Sequence, residues 1–187
     1  MKPGYSETPI RVVHIIGSLA PGGAELVLAR LLEEMDLQQF PSAVVSLTDE
    51  EGLAGRMMAA GAEVIALGMK KDLSVLQAPS RLIHLLKKLQ PDIVQSWMYH
   101  ANFLTGVIAP LLPGSSLIWN IRHTEFDPAS DRRTTMLIGR SAALLSCNAD
   151  HIICCSERSR AVHAAINYPA EKMIVIPNGY DLEQYSP

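Results

Sequence analysis

The chain has 187 residues, of which 48% are hydrophobic, and a formal net charge of −3. This length and apolar content suit one domain with a single core, and the charge excludes the basic excess typical of nucleic-acid-binding proteins. Its apolar runs are far shorter than the ~20 residues of a membrane-spanning helix, and residues 1–9 lack the apolar core of a signal peptide. We therefore expect a cytoplasmic protein with a flexible tail over residues 1–9.

Short apolar, β-branched runs alternate along the chain with longer segments of helical periodicity. The predicted strands span residues 10–16, 42–47, 63–67, 92–96, 117–121, 151–155 and 173–176. Nearly continuous apolar strands separated by helices are typical of a sheet that is covered on both faces. The pattern predicts an α/β fold: a doubly wound, Rossmann-like parallel sheet of about seven strands with helices on both faces.

Helical periodicity is clearest directly after the first strand, where one face carries Ala24, Val27, Leu28, Leu31 and Met35. Helix ends are predicted at Gly61, at Pro91 and at Pro113-Gly114. The three cysteines, Cys147, Cys154 and Cys155, have neither a CxxC spacing nor a Cys/His metal-ligand spacing. We expect buried, reduced thiols and no metal site.

A glycine pair, Gly22 and Gly23, lies between the first strand and the first helix. The N–H groups at a helix N-terminus, together with the helix dipole, favour a bound anion. The structural alternative is that the pair only makes a tight turn.

In a doubly wound sheet, ligands bind outside the carboxyl ends of the strands where the strand order reverses. With a Rossmann-type order, residues 17–23 and 97–100 face each other at that point. The side chains expected there are Trp97, Met98, Tyr99 and His100 after the fourth strand, and Arg122, His123 and Thr124 after the fifth.

Most of these side chains have a structural alternative. Trp97 and Tyr99 either stack on a sugar or base or cover the junction between helix and sheet. Arg122, or Arg132 further along, either grips a phosphate or carboxylate or belongs to a solvated surface of mixed charge. His100 is predicted to face a ligand. A hydrogen-bonded core position is predicted for His14, and structural or surface positions are predicted for His84, His151 and His163.

Residues 13–25, with the sequence VHIIGSLAPGGAE, resemble the opening motif of family 4 retaining glycosyltransferases, which have the GT-B fold. Further similar segments are PDIV at 91–94, YHAN at 99–102, ADHIIC at 149–154, SE at 156–157 and IVIPNGYD at 174–181. The resemblance covers essentially the whole chain, in order.

Such enzymes have two Rossmann-like domains, and the resemblance is to the first. It implies an acceptor-side domain at residues 10–177 and the start of an interdomain linker at 178–187, with Asn178 and Gly179. The C-terminal donor domain, with its paired-glutamate motif, is absent from this sequence. The resemblance therefore implies that the fragment alone is inactive.

Carried over to this sequence, the resemblance assigns Gly22 and Gly23 to the donor diphosphate and a catalytic role to His100. It assigns sugar or acceptor contacts to Trp97, Tyr99, Arg122, His123 and Thr124. The family often has a His-x-His pair just after the fourth strand, where this chain has Gln95-Ser96-Trp97. Either His100 replaces the usual histidine, or Trp97 reshapes the pocket.

The implied reaction moves a sugar, with retention, from a UDP- or GDP-sugar to a hydroxyl of a glycan, lipid-linked or small-molecule acceptor. The implied partners are these substrates and the protein's own C-terminal domain, with no cofactor or metal and no nucleic acid. A lipid-linked acceptor implies peripheral contact at the inner membrane face, for which Lys70-Lys71 and Lys87-Lys88 are weak support.

Two alternatives stay open: a GT-B-type nucleotide-sugar epimerase and a Rossmann dinucleotide-binding module. Residues 48–51, with the sequence TDEE, can mimic the acid that binds a ribose, but the glycines after the first strand do not have the GxGxxG spacing.

Overall fold

The computed structural model describes residues 8–49, 51–70, 76–112, 114–125 and 133–179, and these form one parallel sheet with helices on both faces. The strands are β1 (Val12–Ile16), β2 (Ser42–Ser46), β3 (Glu63–Ala66), β4 (Ile93–Trp97), β5 (Ser116–Ile121), β6 (His151–Cys154) and β7 (Met173–Val175). Their order is β3-β2-β1-β4-β5-β6-β7, and every neighbouring pair is parallel. All the predicted strands are present, with bounds shifted by at most two residues.

The helices are α1 (Gly23–Glu34), α2 (Ala54–Ala59), α3 (Ala78–Leu89), α4 (Met98–Ile108), α5 (Arg133–Leu145) and α6 (Glu157–Ala164). Right-handed crossovers place α1 and α2 on one face of the sheet, here called the front layer, and α3–α6 on the other, the back layer. The strand order reverses between β1 and β4, so this is the doubly wound fold that the sequence predicts.

The core is divided by the sheet. In front, Leu28 and Leu32 of α1 pack with Ile16 and Val44, and this cluster also includes Trp97. Behind, Leu82 and Leu86 of α3 belong to a larger cluster with Ile15, Val45 and Trp119. Successive residues of the central strands contribute alternately to the two clusters, as expected for a sheet that is buried on both faces.

The predicted helix ends agree with the structure where it describes them. Gly61 follows α2 with a φ of 103°, a left-handed conformation that favours glycine. At the end of α3, Gln90 is left-handed and Pro91 is buried. Pro113 lies outside the described residues.

The prediction of buried cysteines is correct for one thiol and wrong for another. Cys154 is buried, which raises the pKa of its thiol to about 11, whereas Cys155 is half-buried. Cys147 is exposed because it lies in the short 3₁₀ turn between α5 and β6, outside both core clusters. In the described residues, no helix has the length and hydropathy needed to cross a bilayer.

Candidate functional site

The β1–α1 turn leaves open space in front of a helix N-terminus. Gly22 is the N-cap of α1 in an extended conformation, and as a glycine it has no side chain with which to cap the helix. A Cβ placed on Gly23, the first helical residue, would meet no atom within 4 Å. The first N–H groups of an α-helix have no intrahelical acceptor, so this turn can bind an anion.

Glu25 lies against the same helix end. Its carboxylate folds back over Gly22, where an added Cβ would be 2.5 Å from Glu25 Oε2. Burial raises the pKa of Glu25, an effect that its own backbone N–H partly opposes by donating to the carboxylate. A carboxylate there satisfies the helix dipole, and a bound diphosphate would compete with it for the same donors. The sequence reasoning gave no role to this side chain.

The β4–α4 turn is the neighbour of the β1–α1 turn, because β1 pairs with β4 and Ile16 lies opposite Trp97. Met98 joins β4 to α4 with a φ of 67°. This left-handed conformation costs a non-glycine residue roughly 1–2 kcal/mol, and such strain is concentrated at functional sites. Because β1 and β4 are paired, residues 17–23 and 97–100 are neighbours in the fold, as predicted.

Trp97 and Tyr99 are both buried, with 0% and 1% of their surface exposed. Trp97 Nε1 donates to Nδ1 of His14, 3.4 Å away, and the Trp97 ring belongs to the front core. Neither ring therefore has a face open to a ligand. Assigning them to sugar contact needs correction: of the two alternatives, they cover the helix–sheet junction, because each ring is packed inside a core cluster.

A buried hydrogen-bonded chain holds Tyr99 in place. Its hydroxyl lies 2.7 Å from Nε2 of His163, and Nδ1 of His163 lies 2.7 Å from the carbonyl oxygen of Ser159. A carbonyl only accepts, so Nδ1 carries the proton and Nε2 accepts from Tyr99. Burial lowers the pKa of His163 and keeps it neutral. His163 is thus structural, as predicted.

The other histidines differ sharply in exposure. His14 is fully buried, and burial lowers its pKa to about 4, so the core position predicted for it is confirmed. His84 and His151 are exposed at the surface. His100 is exposed in the first turn of α4, next to the two turns, and partial desolvation lowers its pKa. A neutral imidazole at that position can accept a proton or a hydrogen bond.

Arg122 uses both terminal nitrogens on the protein itself. Nη1 donates to the carbonyl oxygen of Ile176 and to Oδ1 of Asn178, both at 3.0 Å, and Nη2 donates to Oδ1 of Asn120 at 3.2 Å. The guanidinium carbon lies 5.5 Å from the centre of the Trp97 ring. In the structure this side chain ties residues 176–178 to the sheet and also lines a cleft. Its contact with the sugar or acceptor stays a prediction.

The next residues along the β5 loop are partly accessible. His123 is half-buried, and its carbonyl oxygen accepts from Oγ of Ser159 at 2.7 Å. Thr124 is exposed, with Oγ1 3.8 Å from the sulfur of Cys155. Arg132 lies outside the described residues. In the TDEE segment after β2, Glu50 also lies outside them, and Thr48 Oγ1 donates to the carbonyl oxygen of Gly17 at 3.3 Å.

A cleft of about 500 Å³ separates α1 from residues 176–179. Its walls include Val27, Leu31 and Pro177, and Arg122 lies at its base above Trp97. Gly22, Gly23 and His100 are not among its lining residues. Sequence reasoning missed this cleft because its walls come from segments far apart in the chain. Among the described residues, no cluster of His, Cys, Asp or Glu is arranged to hold a metal ion.

The profile of Glycosyltransferase Family 4 matches residues 21–184. The chain belongs to glycosyltransferase family 4. No curated protein matches its sequence.

Solved structures show the same fold. Anabaena Alr3699/HepE in complex with UDP and glucose has a TM-score of 0.76 at 18% identity, covering 94% of this chain and 46% of that chain. UDP-GlcNAc 2-epimerase from Neisseria meningitidis bound to UDP-GlcNAc has a TM-score of 0.63 at 15% identity, covering 90% and 46%. Acinetobacter baumannii MurG has a TM-score of 0.59 at 16% identity, covering 96% and 48%. This family 4 domain thus has the fold of the N-terminal half of GT-B enzymes and spans about half the length of these solved chains.

Proposed function

We propose that this chain is the acceptor-side half of a retaining glycosyltransferase that uses a UDP- or GDP-sugar donor. The observation that carries the proposal is the open N-terminus of α1 at Gly23, at the reversal of the strand order and beside the β4–α4 turn. The complex of Anabaena Alr3699/HepE with UDP and glucose supports a nucleotide-sugar ligand, because that protein has the same fold.

Leaving-group stabilisation is the role proposed for the β1–α1 turn. As the bond from sugar to diphosphate breaks, negative charge accumulates on the departing phosphate oxygens. N–H groups held in advance at the start of α1 stabilise that charge without reorganisation. Gly22 and Gly23 provide the close approach, and Glu25 swings away from the helix end when the diphosphate arrives.

His100 is the proposed catalytic side chain of this half, in contact with the sugar or the acceptor hydroxyl. Its support is exposure: Trp97, at the place of the family's usual histidine pair, is buried, whereas His100 lies at the surface one helical turn further on. Arg122, His123 and Thr124 stay predicted contacts to the sugar or the acceptor. The acceptor is a glycan, a lipid-linked glycan or a small molecule with a free hydroxyl.

The rest of the donor site belongs to a C-terminal domain, which is the proposed partner of this one. Asn178 and Gly179 begin the linker to it, with Asn178 held by Arg122. The proposal includes no metal and no organic cofactor, and it places the enzyme in the cytoplasm.

The test uses the complete enzyme that contains this chain. UDP- and GDP-sugars are offered with hydroxyl acceptors, and NMR of the product reads the anomeric configuration. We expect transfer with retention; an inverted product would contradict the retaining assignment. His100→Ala should lower kcat by about 10²-fold or more, whereas the matched control His84→Ala, an exposed histidine of α3, should not. Wild-type turnover of His100→Ala would remove His100 from the site.

A nucleotide-sugar epimerase is the second candidate, because UDP-GlcNAc 2-epimerases have the same fold over about nine tenths of this chain. Incubation with UDP-GlcNAc and no acceptor separates the two functions. Conversion to the 2-epimer would favour the epimerase, and no conversion together with transfer to an acceptor would favour the transferase. Tight, saturable binding of NADH would contradict both and indicate a dinucleotide module.

A further inference from the structure

The segment that joins β2 to α2, residues 47–53 and here called the β2–α2 loop, lies beside the β1–α1 turn, because β1 and β2 are paired. It donates hydrogen bonds to three main-chain carbonyl oxygens at the end of β1 and in that turn. The bonds run from Leu47 N to Ile16, from Thr48 Oγ1 to Gly17 and from Leu53 N to Leu19, at 2.9, 3.3 and 2.9 Å. The side of the turn that faces β2 is therefore bonded to the loop along its length.

Gly52 brings the β2–α2 loop into main-chain contact with the same turn. Its φ of 80° is left-handed, a conformation that favours glycine. An added Cβ would collide with the carbonyl group of Leu19, 2.8 Å from the carbonyl carbon, and would lie 3.1 Å from Cα of Ala20. Both the backbone conformation and the lack of space therefore require a glycine at this position.

Both ends of the β2–α2 loop are fixed. At its start, the N–H of Gly68, which follows β3, donates to the carbonyl oxygen of Thr48 at 2.7 Å. At its end, α2 is anchored on α1: Arg56 donates to both carboxylate oxygens of Glu33, at 2.6 and 2.7 Å, and Met57 is fully buried in the front core. A loop that is held from both sides can support the turn beside it.

The hydrogen bonds from the loop determine where the N–H groups of the turn point. In a trans peptide, the C=O and the following N–H point in opposite directions. The Gly17 carbonyl oxygen is directed at the loop, so the N–H of Ser18 points away from it. The N–H of Ala20 points away for the same reason, because the carbonyl oxygen of Leu19 accepts from the loop. Since β1 lies between β2 and β4, the N–H of Ser18 is on the side of the β4–α4 turn.

We propose that Thr48 and Gly52 are positioning residues for the donor diphosphate, acting through the β1–α1 turn. The inference rests on the proposed function, in which this turn stabilises the departing diphosphate. N–H donors stabilise developing charge best when they are oriented in advance. Thr48 orients the peptide between Gly17 and Ser18, and Gly52 allows the loop to come close enough for the hydrogen bond to Leu19.

The experiment measures nucleotide binding to the complete enzyme by titration calorimetry. UDP and GDP are the probes, and uridine and guanosine, which lack phosphate, are the controls. Thr48→Val keeps the shape of the side chain and removes the donor, so we expect diphosphate binding to weaken about threefold to tenfold and nucleoside binding to stay unchanged. Thr48→Ser keeps a hydroxyl and should bind like the wild type. The matched control Thr134→Val, at an exposed threonine of α5, should also bind like the wild type.

Gly52→Ala is the second variant, with an expected loss of diphosphate affinity of about tenfold or more, because the added Cβ forces the loop away from Leu19. Its matched control is Gly55→Ala, since a Cβ there meets nothing within 4 Å. Thermal unfolding establishes that each variant is folded. If Gly52→Ala does not fold, Thr48→Val decides the question.

Gly23→Leu, which fills the space proposed for the diphosphate, separates this inference from the proposed function. Weaker diphosphate binding in Gly23→Leu with wild-type binding in Thr48→Val would overturn the positioning role and leave the proposed function standing. Wild-type diphosphate binding in Gly23→Leu would overturn both. An equal loss of nucleotide and nucleoside binding in Thr48→Val would also overturn the positioning role, because it would indicate a general disturbance of the site or a contact with the ribose.

Discussion

The β1–α1 turn and the β4–α4 turn are neighbours at the reversal of the strand order, and they are built in opposite ways. At the first, Gly23 faces open space and backbone N–H groups are presented to it. At the second, Trp97 and Tyr99 pack inside the core, and Met98 is held in a left-handed conformation between them. One turn is thus suited to receive a ligand, while the other is filled by the protein and positions His100 beside it.

The largest effect on stability is expected from Trp97→Ala at the filled turn. Truncating a fully buried tryptophan leaves a cavity and removes the hydrogen bond to His14, so we expect a loss of about 3–5 kcal/mol. Chemical denaturation measures it. The control is His100→Ala, an exposed position of the same turn, with an expected change of less than about 0.5 kcal/mol. Similar losses in the free energy of unfolding for the two variants would mean that the turn is not held by packing.

Stability is also expected to depend on pH through His14, the β1 residue that accepts a hydrogen bond from Trp97. Because burial lowers the pKa of His14 from 6.5 to about 4, the unfolded chain takes up the proton first as the pH falls. Stability is therefore complete above pH 6.5 and is lost as the pH falls towards 4, by about 3 kcal/mol.

The variant His14→Gln keeps an acceptor for Trp97 and has no titration in this range. Its free energy of unfolding, followed from pH 7 to pH 4, should fall less than that of the wild type. The burial of His163 and His100 lowers their pKa in the same direction, so some pH dependence is expected to remain. Identical curves for the two proteins would show that His14 does not contribute.

At the open turn the expectation is reversed, with a large effect on activity and little on stability. Gly23→Leu fills the space proposed for the diphosphate and should lower turnover of the complete enzyme by about 10²-fold, the scale of losing oxyanion donors. Its unfolding free energy should stay within about 1 kcal/mol. Gly55→Leu is the matched control, since a Cβ there also meets nothing within 4 Å. Equal turnover in both variants would refute the diphosphate role.

The smallest effect is expected from Tyr99→Phe. The ring stays in its cluster, but Nε2 of His163 loses its donor and is left buried and unsatisfied. We expect a loss of about 1–2 kcal/mol of stability, measured by chemical denaturation, with a shift of the His163 ring signals in NMR spectra. An unchanged stability would show that the hydroxyl does not hold the β4–α4 turn.

The strands were predictable because each is a short apolar run with β-branched residues, a property of neighbouring residues alone. The glycine turn before α1 was predictable for the same reason, because it lies between the apolar run of β1 and the helical periodicity of α1. The exposure of Trp97 and Tyr99 was not predictable in this way. A residue after a strand points to the ligand or to the core according to the helix that packs there, and that helix is set by the whole topology.

Arg122 shows the same limit most clearly. Its type and its place at the end of β5 suggested a grip on a ligand, but its partners, Ile176 and Asn178, lie 54 and 56 residues further along the chain. The sequence by itself determined the fold class, the strand and helix positions, the place of the glycine turn and the resemblance to family 4, since these depend on local patterns. Only the tertiary structure decided which side chains of the site are free and which are used by the protein, because burial and hydrogen bonding depend on residues that meet only when the chain has folded.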